Sequence, residues 1–366
     1  MTFDATDIAL SILKIAIVLA AILNVTPIMV WVERRGSALI QDRPGPNRVG
    51  PFGLFQAIAD ALKFILKEDI IPSGANKLLY TLAPMIGLLP ALTTIAVVPW
   101  GRPFLLHDIH IGGRTFFATA RLFEPIVADL NIGILLIFAL ASLSVYGITT
   151  AGWSSNNKYS LFGGIRASAQ MISYELSLAL AAVSVLLAAG SLRLTDVVWK
   201  QTGYFVLFDT IRIPAWNVFS PAMWLSFIVF SVSGFAETNR LPFDFAEAEA
   251  ELVAGYHTEY SSMKFALFFM SEYMAMATMS ALVVTLFLGG WSIPYYLPPP
   301  TFWGFLLTAI VFVLKVSVLL FVFVWVRWTI PRLKYDILMR LGWKVFLPLA
   351  FVNIVIVALF IGLGWI

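Results

Sequence analysis

The sequence predicts an all-α polytopic membrane bundle of about eight transmembrane helices with an interfacial amphipathic helix, and three observations carry that reading. Of 366 residues, 60% are hydrophobic and 12% charged, with a mean hydropathy of +0.88, too apolar for the surface of a water-soluble fold. Apolar stretches near or above the roughly 18–20 residues that cross a bilayer recur along the chain. None alternates polar and apolar residues as a membrane β-strand does, and backbone groups in hydrocarbon must be satisfied within the segment, so the spans are helices.

The expected spans are 8–31, 78–99, 129–151, 165–190, 219–237, 263–290, 302–326 and 344–365. The opening MTFDATD is acidic and the first apolar run is long, so that run reads as a retained helix rather than a cleaved signal. Residues 52–68, FGLFQAIADALKFILKE, are too short to span. They place Gln56, Asp60, Lys63 and Lys67 on one polar face, which suits a helix lying flat at the interface. A helix that only props the bundle is the competing reading. Residues 101–127 form the longest outer connection, and β-branched and aromatic pairs around Gly112-Gly113 suggest a hairpin. The whole chain, 1–366, reads as one membrane domain, with 237–260 as an acidic cytoplasmic loop.

Odd-numbered connections hold sixteen Lys and Arg and even-numbered ones six. The positive-inside bias then puts the odd connections in the cytoplasm and both termini outside. A net charge of +3 gives no reason to expect nucleic-acid binding. Zero cysteines exclude disulfides and thiolate-held iron–sulfur clusters, and only His107, His110 and His257 remain as histidines, so no metal or haem site is expected. Neither a GxxxxGK[ST] loop nor a GxGxxG turn after a strand is present, so nucleotide chemistry has no home here.

A carboxylate at mid-bilayer costs about 2.5–3.5 kcal/mol, which makes each intramembrane acid a functional candidate. Glu33 and Asp129 fall at expected helix ends, Glu175 and Glu272 about ten residues into theirs, and Glu237 at the end of the fifth. A carboxyl in low dielectric holds its proton toward neutral pH, as a proton relay requires. The plainer alternative is that Glu175 or Glu272 pairs with Lys14, Lys315 or Arg166 to hold helices together. The fifth connection, ETNRLPFDFAEAEAELVAGYHTEY, holds Glu237, Asp244, Glu247, Glu249, Glu251 and Glu259 against Arg240 alone, an inverted charge on that side. Asp244 with Glu247 fits a capping box starting a short helix at Phe245, so Glu247 is either a cap or a relay member. Glu247 and Glu251, four apart, repel unless one is protonated or neutralised.

Five blocks, WVERRGSALIQDRPGPNRVGPFGLFQAIADALKFILKED, ADLNIGIL, AGWSSNNKYSLFGGIRASAQMISYE, AETNRLPFDFAEAEAELVAGYHTEYS and RWTIPRLKYDILMRLGWK, resemble the quinone-site membrane subunit of respiratory complex I, the H-type or chain 1 family of NADH-quinone oxidoreductase. Residues 101–127 depart from the shorter members of that family. The resemblance implies a translocase subunit of the NADH:quinone oxidoreductase, not catalytic alone, in a bacterial inner membrane. It implies ubiquinone or a related quinone as substrate, no cofactor bound by this chain, and FMN and iron–sulfur clusters in partner subunits. Peripheral iron–sulfur and quinone-site subunits, small membrane subunits and antiporter-like subunits are the implied partners, with lipid around the bundle. Glu33, Arg34, Arg43, Asp60, Arg240, Asp244 and Arg327 match positions around the quinone chamber. Glu175, Glu237, Glu247, Glu249, Glu251, Glu259 and Glu272 match carboxylates leading toward the pumping subunits. Two other classes compete: the membrane anchor of an energy-converting hydrogenase, which shares the acidic loop, and a stand-alone ion transporter, which would show inverted halves.

Overall fold

The computed structural model describes residues 5–106, 109–111, 114–116, 121–207, 211–246 and 249–364. Among the described residues, seven helices are long and apolar enough to cross a membrane. They lie in α1 (Ala5–Ile40), α3 (Lys77–Thr94), α4 (Gly133–Ser154), α5 (Lys158–Ala189), α9 (Ser262–Phe287), α10 (Phe302–Thr329) and the run from α11 (Tyr335–Arg340) to α12 (Leu347–Gly362). The expected eighth span is shorter than the sequence suggests. Residues 219–220 are not α-helical, Pro221–Met223 form a 3-10 turn, and α7 covers only Trp224–Glu237. Fourteen residues rise about 21 Å, less than the roughly 30 Å hydrocarbon layer.

Other helices extend further than hydropathy suggests. Helix α1 runs to Ile40, so Glu33 lies inside it rather than at its end. Helix α5 starts at Lys158 under an Asn157 cap, whose side chain accepts from the Tyr159 N–H, so Glu175 sits at mid-helix and not ten residues in. Polar residues at 158–166 hide the first two turns from a hydropathy reading. Between α11 and α12 a π-helical stretch, Leu341–Phe346, continues the helix, and Tyr174 donates to the Leu338 carbonyl at 2.9 Å beside it. Helix α2 (Gln56–Leu66) is amphipathic as expected, and none of its residues is buried.

Small residues let the central helices touch. A Cβ on Gly147 of α4 would lie 2.7 Å from the Gly87 nitrogen of α3, and one on Gly163 of α5 would meet Gly255 and Tyr256 backbone at 2.7 Å. The largest core cluster gathers side chains of α4, α5, α7, α9 and α12, including Ile134, Leu178, Phe230, Phe287 and Val357. Opposite the α1 C-terminal end, β1 (Phe104–Leu106) pairs antiparallel with β4 (Arg121–Phe123), and β2 (Ile109–Ile111) with β3 (Arg114–Phe116). The expected hairpin is therefore present, with Gly112-Gly113 outside the described residues. A second hairpin, β5 (Tyr204–Leu207) with β6 (Ile211–Pro214), was not legible in the sequence. Short α6 (Leu194–Lys200) precedes it.

The capping-box expectation fails in its placement. Phe245 and Ala246 form a turn, the described short helix α8 is Glu249–Leu252, and Asp244 turns its carboxylate to Arg332 at 3.0 Å. Glu247 lies outside the described residues.

Candidate functional site

Glu33 of α1 is 7% exposed and is the hub of a buried charged cluster. The Tyr273 hydroxyl of α9 donates to its Oε2 at 2.6 Å, and the Arg327 guanidinium of α10 donates to its Oε1. Arg240, from the connection after α7, stands between two acids, with Nη1 3.7 Å from Glu33 Oε2 and Nη2 3.9 Å from Glu272 Oε2. Its guanidinium also lies 4.3 Å over the Tyr273 ring, a cation–π contact made stronger by burial. Tyr256 donates to Glu272 Oε1 at 3.0 Å. Two carboxylates thus face two guanidinium groups, which is how buried charge is tolerated at all. Deleting one member leaves the others uncompensated.

The backbone that delivers Arg240 is held by Gln170 of α5, wholly buried, which donates to the Ala236 and Phe243 carbonyls at 2.7 Å each. A cis Leu241–Pro242 bond lies in the same turn.

On the other side of Glu272, a cavity of about 70 Å³ opens between α3, α4, α5, α7 and α9. Glu237 and Glu272 both line it, with Ser144, Asn239, Tyr256, Ser271 and Thr278. At about 10–15 Å³ per water centre it has room for several waters, and its walls supply their partners. Glu237 is 5% exposed, and its Oε2 meets no hydrogen-bond partner among the described residues. Glu175 accepts from Ser142 and is close enough for its charge to act on Glu237. The geometry therefore runs Glu33, Arg240, Glu272, cavity, Glu237, Glu175.

Asp60 fastens α2 to α1. Arg34 donates to it at 2.5 Å, Gln56 at 3.1 Å and Lys63 at 3.3 Å. Burial works to raise the Asp60 carboxyl, but the Gln56 hydrogen bond and the Arg34 charge outweigh it and hold the group below the usual carboxylate range. Ser262 donates to the Phe64 carbonyl at 2.9 Å, which ties the far end of α2 to the start of α9. Ile58, Leu62 and Ile65 of α2 remain more than half exposed.

Other expected site residues stand apart. Arg43 lies on an exposed turn and donates to Gln41 at 2.6 Å, away from the cluster. Glu251 pairs with Arg166 at 2.6 Å, and Asn157 donates to Glu259 at 2.5 Å. The Glu249 side chain and Glu247 lie outside the description. The alternative pairings for Glu175 and Glu272 are not the ones seen. Lys315 donates to the Leu288, Gly290 and Ser292 carbonyls at 2.7–2.9 Å, Lys14 lies over Phe123, and Arg166 holds Glu251.

Sequence reasoning missed Tyr256, Tyr273, Gln170 and Arg332. Tyr273 follows Glu272 directly, and a phenol beside an intramembrane acid was the available signal. His257 packs among the rings of Tyr256, Phe265, Phe268 and Phe269, where burial pushes it down to about 3, so it stays neutral at working pH. Among the described residues no group of His, Asp and Glu could hold a metal ion.

Long apolar helices with a charged network buried at one end of the bundle define the class, an integral membrane protein. The family described as NADH dehydrogenase matches residues 13–358. The chain is 46% identical to an H-type NADH-quinone oxidoreductase subunit of Koribacter versatilis, over 98% of this chain and 99% of that one. It is 46% identical to one of Geobacter metallireducens over 100% and 99% of the two chains. It is 47% identical to one of Leptospira biflexa over 86% and 85%. The chain belongs to this family of H-type NADH-quinone oxidoreductase subunits.

Proposed function

We propose that this chain is the membrane subunit of a proton-translocating NADH:quinone oxidoreductase, and that it forms the membrane side of the quinone chamber and passes the charge of quinone reduction to a chain of carboxylates. The names of the relatives support the overall reaction. The observation that carries the coupling reading is the shared cavity: Glu272 faces the Arg240 cluster on one side and, on the other, shares with Glu237 a mainly apolar cavity set with Ser144, Asn239, Ser271 and Thr278.

Quinone is the substrate, held between α1, α2, α9 and α10, where the unburied apolar face of α2 gives its isoprenoid tail a way in from lipid. Electrons come from an iron–sulfur cluster in a peripheral subunit, fed by a flavin, since a chain without cysteine offers no thiolate to hold a cluster. Two-electron reduction places negative charge that two protons must meet. Glu33, Arg34, Asp60, Arg240, Asp244 and Arg327 shape the field around that charge, and Arg43 lies on the face open to a peripheral partner. In a water-poor site the new charge acts strongly on Glu272 through Arg240. The proton balance of Glu272, Glu237 and Glu175 then shifts, with Glu247, Glu249, Glu251 and Glu259 on the loop side, and the small and antiporter-like membrane subunits respond. The membrane is a bacterial inner membrane, with the Glu33 end toward the cytoplasm and both termini outside.

Glu272→Gln in the assembled complex tests the chamber half of this reading. NADH:quinone turnover should fall at least tenfold while NADH:ferricyanide turnover in the same membranes is kept. Unchanged quinone turnover would remove Glu272 from the coupling route.

A further inference from the structure

The end of the bundle opposite the Glu33 cluster carries a second cavity, of about 370 Å³, lined chiefly by residues of the 99–129 connection, of Arg193–Trp199 and by Trp291. That volume falls in the range of small-molecule sites and exceeds what a few waters fill. Its walls are stiff. Pro99, Pro103, Pro125 and Pro300 line it, the Trp100 N–H donates to the Pro125 carbonyl at 3.1 Å, and the β1–β4 pair closes the segment.

The cavity holds one cation and one anion without close partners among the described residues. Arg102 is fixed at its backbone, where its N–H donates to the buried Thr308 hydroxyl at 3.0 Å. Among the described residues its guanidinium meets no carboxylate and lies 5.9 Å over the Trp199 ring. The Glu124 carboxylate takes no hydrogen bond among the described residues, and Lys14 and Arg193 act on it only at a distance. The other charges are engaged. Arg193 and Thr195 hold Asp129, and Ser191 donates to Asp196 at 2.7 Å. Trp291, wholly buried, also lines the cavity, stacks edge-on to Trp199 at 5.1 Å, and its Nε1–H has no acceptor among the described residues.

We infer that this cavity binds the zwitterionic headgroup of a phosphatidylethanolamine-type phospholipid, its phosphate on Arg102 and its ammonium on Glu124. An arginine fork suits a phosphate, and a primary ammonium can donate to a carboxylate. A purely anionic ligand would face Glu124. The lipid source follows from position. The cavity lies where α3 ends and α10 begins, Trp199 on its wall is 37% exposed as an interfacial tryptophan is, and Leu122 is 56% exposed, which offers acyl chains a way out to the bilayer. The two ends of the long 101–127 connection, residues 101–103 and 122–126, thus acquire a role as the wall of a structural lipid site.

The test is native mass spectrometry of the delipidated assembled complex, titrated separately with dioleoyl-phosphatidylethanolamine, -phosphatidylcholine, -phosphatidylglycerol and inorganic phosphate, reading adducts on this chain. Phosphatidylethanolamine should be retained at least tenfold better than the other three. Arg102→Gln should lose that preference, and Glu124→Gln should turn it toward phosphatidylglycerol. Equal retention of all lipids in wild type, an annular lipid only, would overturn the proposal. Retention of inorganic phosphate in place of lipid would overturn the lipid assignment. Should Arg102→Gln not assemble, the wild-type preference and the Glu124→Gln switch still decide.

Discussion

Asp60 shows how a single carboxylate is read differently from sequence and from structure. The sequence places it on the polar face of α2, whereas the structure adds that Arg34, 26 residues earlier, reaches it at 2.5 Å. Because its folded-state affinity for protons is depressed, its contribution is present above its usual range near 3.8 and is lost only as pH falls through the lower folded value. The α1–α2 tie therefore holds unchanged through neutral and mildly acidic pH. Arg34 is 47% exposed, so the pair is worth under about 1 kcal/mol. Asp60→Asn should speed amide exchange in α2 up to about fivefold between pH 5 and 8, with no pH trend in the ratio. A ratio that grows steeply from pH 5 to 8 would show that Asp60 titrates there. Sequence made Glu33 a candidate as an intramembrane acid, and Asp60 and Arg240 candidates through the family resemblance. It could not show that Arg240 bridges Glu33 and Glu272, because that contact joins residues more than 200 positions apart. Arg43, matched by the same resemblance, lies outside the cluster because its loop turns outward.

At the scale of elements, hydropathy was a good guide to where helices are and a poor one to where they end. The α5 start and the α1 end carry Lys, Arg and Glu that lower local hydropathy without breaking the helix, and α7 is shortened because Pro221 sits near its start. Close packing was invisible until Gly163 met the Gly255–Tyr256 backbone. Adding a Cβ there overpacks backbone against backbone, at roughly 1–3 kcal/mol, and displaces the tyrosine that donates to Glu272. Gly163→Ala should lower thermal stability and quinone turnover together, while Gly234→Ala, with open space around its Cβ, should leave both unchanged. Equal behaviour of the two variants would mean that the α5–loop contact positions nothing.

For the whole molecule, the loop-charge bias predicts the Glu33 end in the cytoplasm, and single cysteines test it. Ser73, exposed near the start of α3, should be labelled from the cytoplasmic side, and Tyr295, 60% exposed between α9 and α10, from the other. The opposite pattern would invert the topology. The coupling account requires protons to answer quinone reduction through the cavity that Glu237 and Glu272 share. Glu237→Gln keeps the shape of the side chain and removes its titratable site. Each roughly 1.4 kcal/mol that the loss of this proton carrier adds to the barrier slows the coupled step about tenfold. The most direct measurement is proton uptake by a pH-gradient dye beside NADH:quinone and NADH:ferricyanide turnover in the same membranes carrying Glu237→Gln. Pumping and quinone turnover should fall together while ferricyanide turnover survives; full pumping with full quinone turnover would rule out a proton route through Glu237.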